Sequence, residues 1–266
     1  MTKPVPADKL RLGGMALRNG LLVHGPTHWA AAVRDDAGAI QVASGRKPQL
    51  SGPVAGVPGV RGVLKLAEAM AVIPLVKRAL PEARLPMQDA RTLGAMGAAA
   101  LAGQAVRTLA RSVAAREAAV AMISLAPALM ALRSGDLAAY HGVEHKAIAA
   151  YEDDGDAADA LKEHDRCGSH LVAPMLTAAA VGNVAVRRAG LRGPAVEAAV
   201  GLGSAAVAVE VFAWSERHPE SRLTRALRRP GHEIQRVVGT REPTAEQLQV
   251  GRAALDEILR VEATAA

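Results

Sequence analysis

Aromatic residues are nearly missing from this chain of 266 residues, which has one Phe, two Trp and two Tyr. Sequence-tolerant binding of single-stranded nucleic acid relies on bases stacking on aromatic faces, so their scarcity argues against that function. The net charge of +6 therefore points to an acidic membrane surface, and no nucleic-acid partner is expected. Cysteine occurs once, at Cys167. That excludes an internal disulfide framework and leaves either a ligating or reactive thiol or a small inert hydrophobe. The opening stretch MTKPVPADKLRLGG holds no apolar run, so no cleavable signal peptide is expected.

What the chain has instead is aliphatic surface. Half of its residues are apolar, and without aromatics these are Ala, Val and Leu, a composition that favours closely packed helices. Residues 1–60 differ from the rest. Short apolar runs alternate with glycine, and AAAVRDDAGAIQVAS carries an Asp-Ala-Gly turn between two strand-like halves, the pattern of a β-hairpin. Lys47 to Val60 is a Pro/Gly-rich connector. From residue 61 the period becomes helical: Val63, Leu66, Ala67, Met70 and Ile73 predict an amphipathic helix with a kink or break at Pro74.

Four apolar segments follow, Thr92–Val106, Ala118–Leu132, Leu171–Val186 and Gly193–Trp214. A span needs about 20 apolar residues, whereas runs of 10–14 belong more often to buried helices of soluble proteins. These segments fall between the two, as does the mean hydropathy of +0.12. If they span, the loop between the second and third faces the side opposite the arginines of 107–116, although its acidic stretch from Glu152 to Asp159 weakens any orientation from basic residues. At the end of the chain, Thr244 and Gln247 are placed as a capping box, with Leu248, Leu255, Ile258 and Leu259 on one helix face. The architecture expected is mainly α: a multipass helical membrane bundle over 61–230, a small β-hairpin element in 1–60, and a soluble, amphipathic C-terminal helix in 231–266.

Two polar clusters carry the chemistry. His141, Glu144 and His145 form H-x-x-E-H, the inverted zincin signature. Helical spacing puts both imidazoles on one face, where they can share a cation with Glu144 as a base; the alternative is an exposed helix start with solvated histidines. The stretch EHDRCGSH adds His164 and Cys167, nitrogen and sulfur donors suited to Zn²⁺ or another divalent metal, on either side of Arg166. His170 begins the third apolar segment and is a weaker candidate. Glu210 lies inside the last apolar segment, where a charge needs a partner, a metal or a polar cavity. It is a candidate third metal ligand, unless the helix is soluble and Glu210 lies on its wet face.

With these pieces in place the chain resembles the bacterial DUF1385 family, the YqhQ-like proteins. The resemblance rests on GGMALRNGLLVHGP at Gly13, YHGVEHKAIAAYE at Tyr140, HDRCGSH at His164 and GTREPTAEQLQVGRAAL at Gly239. It implies a multipass protein of the bacterial cytoplasmic membrane with a predicted metal-dependent activity, and puts His141, Glu144, His145, His164, Arg166, Cys167, Glu210, Arg241 and Glu242 at signature positions. Three features depart from the family pattern. Met15 and Asn19 replace a glutamine and a glutamate, Asp165 stands where a proline is usual, and the apolar segments are shorter and poorer in aromatics.

The leading expectation is a zinc-dependent, hydrolase-like membrane protein. His141 and His145 hold the metal, joined by His164, Cys167 or Glu210, while Glu144 takes a proton and Arg166 stabilises negative charge. The alternative of another class is a non-catalytic scaffold or assembly factor with a closed structural site or polar network. A transporter using Glu197 and Glu210 is a third reading, without the paired broken helices that would support it. The partners expected are membrane lipids and unspecified proteins, including a homo-oligomer. If the segments do not span, the location becomes peripheral or cytoplasmic.

Overall fold

In this computed structural model the described residues are 9–265, except 51, 53–56, 58, 87, 110, 111 and 134. Part of the Pro/Gly connector and Arg111 lie outside them.

The chain first forms four strands, β1 (Gly13–Leu17), β2 (Gly20–His24), β3 (His28–Arg34) and β4 (Ile40–Arg46), paired in chain order as an antiparallel sheet. The expected hairpin is β3–β4. Its turn is held by the Asp35 carboxylate, which accepts from the N–H groups of Ala37 and Ala39, and Gly38 supplies the left-handed φ of 87°. At the β1–β2 turn, Asn19 donates to the carbonyls of Arg34 and Glu82 and accepts from Arg84 N–H. It acts as a structural clip there.

Alternation along the strands gives the sheet two buried faces. Leu21, Val23, Ala30 and Ala32 meet α4 (Asp136–Asp153) and α8 (Ala245–Ala263) through Tyr140, Val143, Val250, Ala254 and Ile258. Leu17, Leu22, Ala31 and Val33 meet α1 (Val60–Ala79) and its continuation through Val72, Val76, Leu80 and Ala83. The sheet and the last helix therefore share one core. α8 starts with the expected capping box, and Leu248, Leu255 and Leu259 flank the buried Ile258. α1 departs from expectation. It runs through Pro74 without a break, and the face that the spacing pointed inward is largely open, with Leu66 and Met70 exposed. Burial falls on Val72 and Val76 because the sheet packs only against the C-terminal half of α1.

The apolar segments form α2 (Ala90–Leu109), α3 (Val113–Leu132), α5 (Val172–Arg188) and α6 (Pro194–Arg217). Among the described residues, three stretches are long and apolar enough to cross a membrane: Ala115–Leu132, Gly168–Arg188 and Pro194–Arg217. α2 is not among them. Only 11% of each stretch is buried within the chain, so most of this aliphatic surface has no protein cover. The Glu117 carboxylate near the start of α3 lies 3.6 Å from the Arg187 guanidinium at the end of α5, so the two helices run antiparallel. The end of α3, the start of α5 and the end of α6 therefore lie on one side of the bundle. α4 and α7 (Arg222–Ile234) are on that side too.

Candidate metal centre

α4 is buried from Leu137 to Ile148 except at His141, and His145 is only 1% exposed. The histidines are therefore not a solvated helix start. α4 can sit this deep because Gly142 lets the backbone of the following segment approach: a Cβ there would lie 2.3 Å from the Arg241 carbonyl oxygen. Arg241 N–H in turn donates to the Ala138 carbonyl.

Both imidazoles are oriented by main chain. His141 Nδ1–H donates to the Gly239 carbonyl at 2.7 Å, and His145 Nδ1–H donates to the Lys162 carbonyl at 2.6 Å. A carbonyl can only accept, so each ring carries a proton on Nδ1, which leaves Nε2 as the nitrogen to face a metal, the arrangement typical of metal-ligating histidines. His141 Nε2 lies 3.3 Å from Cys167 Sγ, and donor atoms of His141, His145 and Cys167 all fall within 4.8 Å of one another. Tetrahedral bonds of about 2.0–2.3 Å separate ligand atoms by about 3.3–3.8 Å, so small side-chain movements suffice to close the site on an ion. His145 Nε2 is buried and, among the described residues, meets no hydrogen-bond partner other than the weak one offered by the neighbouring Cys167 thiol. Burial pushes the His145 pKa below the ordinary imidazole value, the His141 charge acts in the same direction, and Cys167 opposes them. The ring is thus neutral and available as a ligand.

The other expected site residues divide. Glu144 is fully buried on the same helix and packs on β1, where a Cβ at Gly14 would come within 2.7 Å of its carboxylate Oε1. Burial raises its pKa, against the influence of His141 and His164. His164 comes near the pair, with its ring centroid 5.7 Å from that of His145, but its nitrogens face away: Nδ1 accepts from Arg166 N–H, and Nε2 lies 3.6 Å from Glu152. Arg166 is ion-paired with Glu152 through Nη2, while its buried Nη1 has no hydrogen-bond partner. Burial alone would raise the Glu152 carboxyl, but His164 and Arg166 outweigh it and hold it below the usual carboxylate range. Glu210 is not brought to the cluster. It accepts from Gly59 N–H at the head of α1, where a carboxylate complements the helix dipole. Glu197 is 4.0 Å from Arg107, near the opposite ends of the helices.

A second group, Asp165, His170 and His232, also places donor atoms within 4.8 Å. Both nitrogens of His170 and the Nε2 of His232 are already used. His170 Nδ1–H donates to the Arg228 carbonyl, its Nε2 accepts from Gln235, and His232 Nε2 is 2.6 Å from Asp165. Gln235 is fully buried and accepts from His164 N–H while donating to the His164 carbonyl and Ser169 Oγ. It fastens the 164–170 loop. Sequence reasoning missed Gln235, and also Glu152 as the partner of Arg166, because neither residue carries a local motif.

Taken together, a helical chain with three stretches able to span a bilayer carries a buried His–His–Cys cluster at one end of them. Residues 120–261, just over half of the chain, match the family described as "Protein of unknown function (DUF1385)", and the chain belongs to it. The stretch GGMALRNGLLVHGP lies outside the matched residues. No curated protein and no solved structure matches the chain.

Proposed function

We propose that the protein is a multipass membrane protein of the bacterial cytoplasmic membrane in which His141, His145 and Cys167 hold one Zn²⁺-class ion for hydrolase-like chemistry. The carrying observation is His145 Nε2, a buried nitrogen that among the described residues meets only the Cys167 thiol of its own His–His–Cys donor set. Leaving such a group unsatisfied costs about 1–3 kcal/mol, which a metal bond removes. Three protein ligands leave one position of a tetrahedral ion open, as catalytic sites require. The orientation of His164 toward Glu152 supports this open reading over a closed structural site.

A bound ion of this class supplies Lewis-acid activation of water or of a carbonyl. The chain's own residues do the rest. The Gly239 and Lys162 carbonyls fix both imidazole tautomers. Glu144, beside His145 on α4, exchanges a proton in a site from which bulk water is excluded. Arg166 keeps one N–H-bearing nitrogen, Nη1, without a protein acceptor and can donate to a developing negative charge.

The test is metal content of detergent-purified protein. The wild type should carry one ion per chain, and His145→Ala and Cys167→Ala should lose it. A metal-free wild type sinks the reading. Retention in the membrane pellet after an alkaline carbonate wash tests the multipass assignment, and release into the supernatant overturns it.

A further inference from the structure

A groove of about 650 Å³ runs between α5 and α6 and ends against α7. Its walls run from Ala173 to Gly182 on α5 and from Val200 to Val211 on α6, and Leu227 and Pro230 of α7 close it. Both hydroxyls on the walls turn back on their own helices: Thr177 donates to the Ala173 carbonyl and Ser204 to the Val200 carbonyl. The side chains facing the groove therefore offer aliphatic surface. A Cβ built on Gly203 meets nothing within 4 Å, so there is open space beside it.

Dimensions and charge identify the occupant. An extended alkyl chain fits, within the roughly 300–1,000 Å³ typical of small-ligand sites. From Ala173 to Gly182 the groove follows α5 for about 14 Å, close to one leaflet of a hydrocarbon core about 30 Å thick. At its α7 end stand Arg222, Arg225 and Arg229, all exposed and spaced to share one face of α7 beside the groove-lining residues. Arg225 is steadied by the Glu220 carbonyl. This end is also where the chain enters α5 from the Cys167 loop, since His170 packs on Gly231 of α7.

We propose that this groove binds one acyl chain of an anionic membrane lipid, with the α7 arginines on its headgroup. The inference rests on α5 and α6 being spans, as in the function proposed above, and is independent of the metal.

The experiment uses the full chain in vesicles of equal parts phosphatidylglycerol and phosphatidylcholine, doped with either lipid carrying a photoactivatable acyl chain, with adducts mapped by mass spectrometry. Adducts should concentrate in 173–182 and 200–211 and fall at least five-fold in Gly203→Phe, which fills the groove. Leu202→Phe places the same aromatic ring at an exposed position outside the groove and should change nothing; Val181→Trp is a second filling variant should Gly203→Phe fail to fold. Phosphatidylglycerol should label at least three-fold more than phosphatidylcholine, and Arg222→Gln/Arg225→Gln/Arg229→Gln should erase that preference. Even labelling of all helices, no effect of filling the groove, or equal labelling by both lipids overturns the proposal. Chain-to-chain cross-links at the groove would assign it to a second copy and overturn it as well. If the protein washes off with carbonate, the membrane reading and this proposal fail together; if it is retained but labels evenly, only this proposal fails.

Discussion

Two clusters of histidines lie within one loop of each other and meet opposite ends. Both ring nitrogens of His170 have protein partners, and Gln235 ties His164, Ser169 and His170 into one network. Around His145, the main chain takes Nδ1 and, among the described residues, only the Cys167 thiol of the same donor set stands near Nε2. Proximity of donor atoms is the same in both, within 4.8 Å. What separates a ligand set from a scaffold is therefore which lone pairs the rest of the fold has left over, because buried polar groups are otherwise satisfied almost without exception.

The sharpest way to break this comparison is to delete one member of each cluster. Cys167→Ala or His141→Ala should lower metal affinity at least about a hundredfold, whereas His232→Ala should leave it within about two-fold, by titration of apo protein with a competing chelator. Equal losses would merge the two clusters into one site. Gln235→Ala should instead cost stability, about 2–3 kcal/mol, because it strands buried partners in the 164–170 loop; chemical denaturation in detergent reads it.

A partly buried histidine, His24, has no ligand set around it among the described residues and serves as the reference. Burial, helped by the Lys47 charge, lowers its pKa to about 4 from an ordinary 6.5. Between those values the unfolded chain binds a proton that the folded chain refuses, so stability should fall as pH drops from about 6.5 to about 4 and flatten below. The loss from this residue should be about 3 kcal/mol, followed by Trp29 fluorescence in a Trp214→Phe background. His24→Gln should remove the His24 share of that slope, leaving the share of other histidines such as the buried His145, whose pKa is also lowered; an unchanged slope would refute the assignment. The smallest effect expected is that of Glu144→Gln. Its buried carboxyl is held away from water with a raised pKa, so the neutral amide should stabilise the fold at neutral pH by about 1 kcal/mol. Metal content should stay unchanged, since Glu144 is not among the three ligands.

Local signals in the chain led to local structure. The Asp-Ala-Gly turn led to β3–β4, the Thr244/Gln247 pair to the start of α8, and H-x-x-E-H with the Cys167 loop to two histidines and a thiol in one cluster. Contacts between distant segments left no such trace. Gln235 reaches His164 across 71 positions and Glu210 reaches Gly59 across 151, and no periodicity encodes either. His164 has the spacing of a ligand but turns to Glu152, a choice made by the tertiary placement of the loop. The inward face of α1 was misplaced for a related reason: the sheet covers only half of the helix, so its own apolar spacing does not decide what is buried.

The central claim is most directly tested by X-ray absorption at the zinc edge on the zinc-loaded, detergent-solubilised full chain. One sulfur and two imidazole nitrogens, completed by a light ligand from solvent, is the shell predicted for His141, His145 and Cys167. A shell without sulfur, or one closed by a third imidazole, would contradict it.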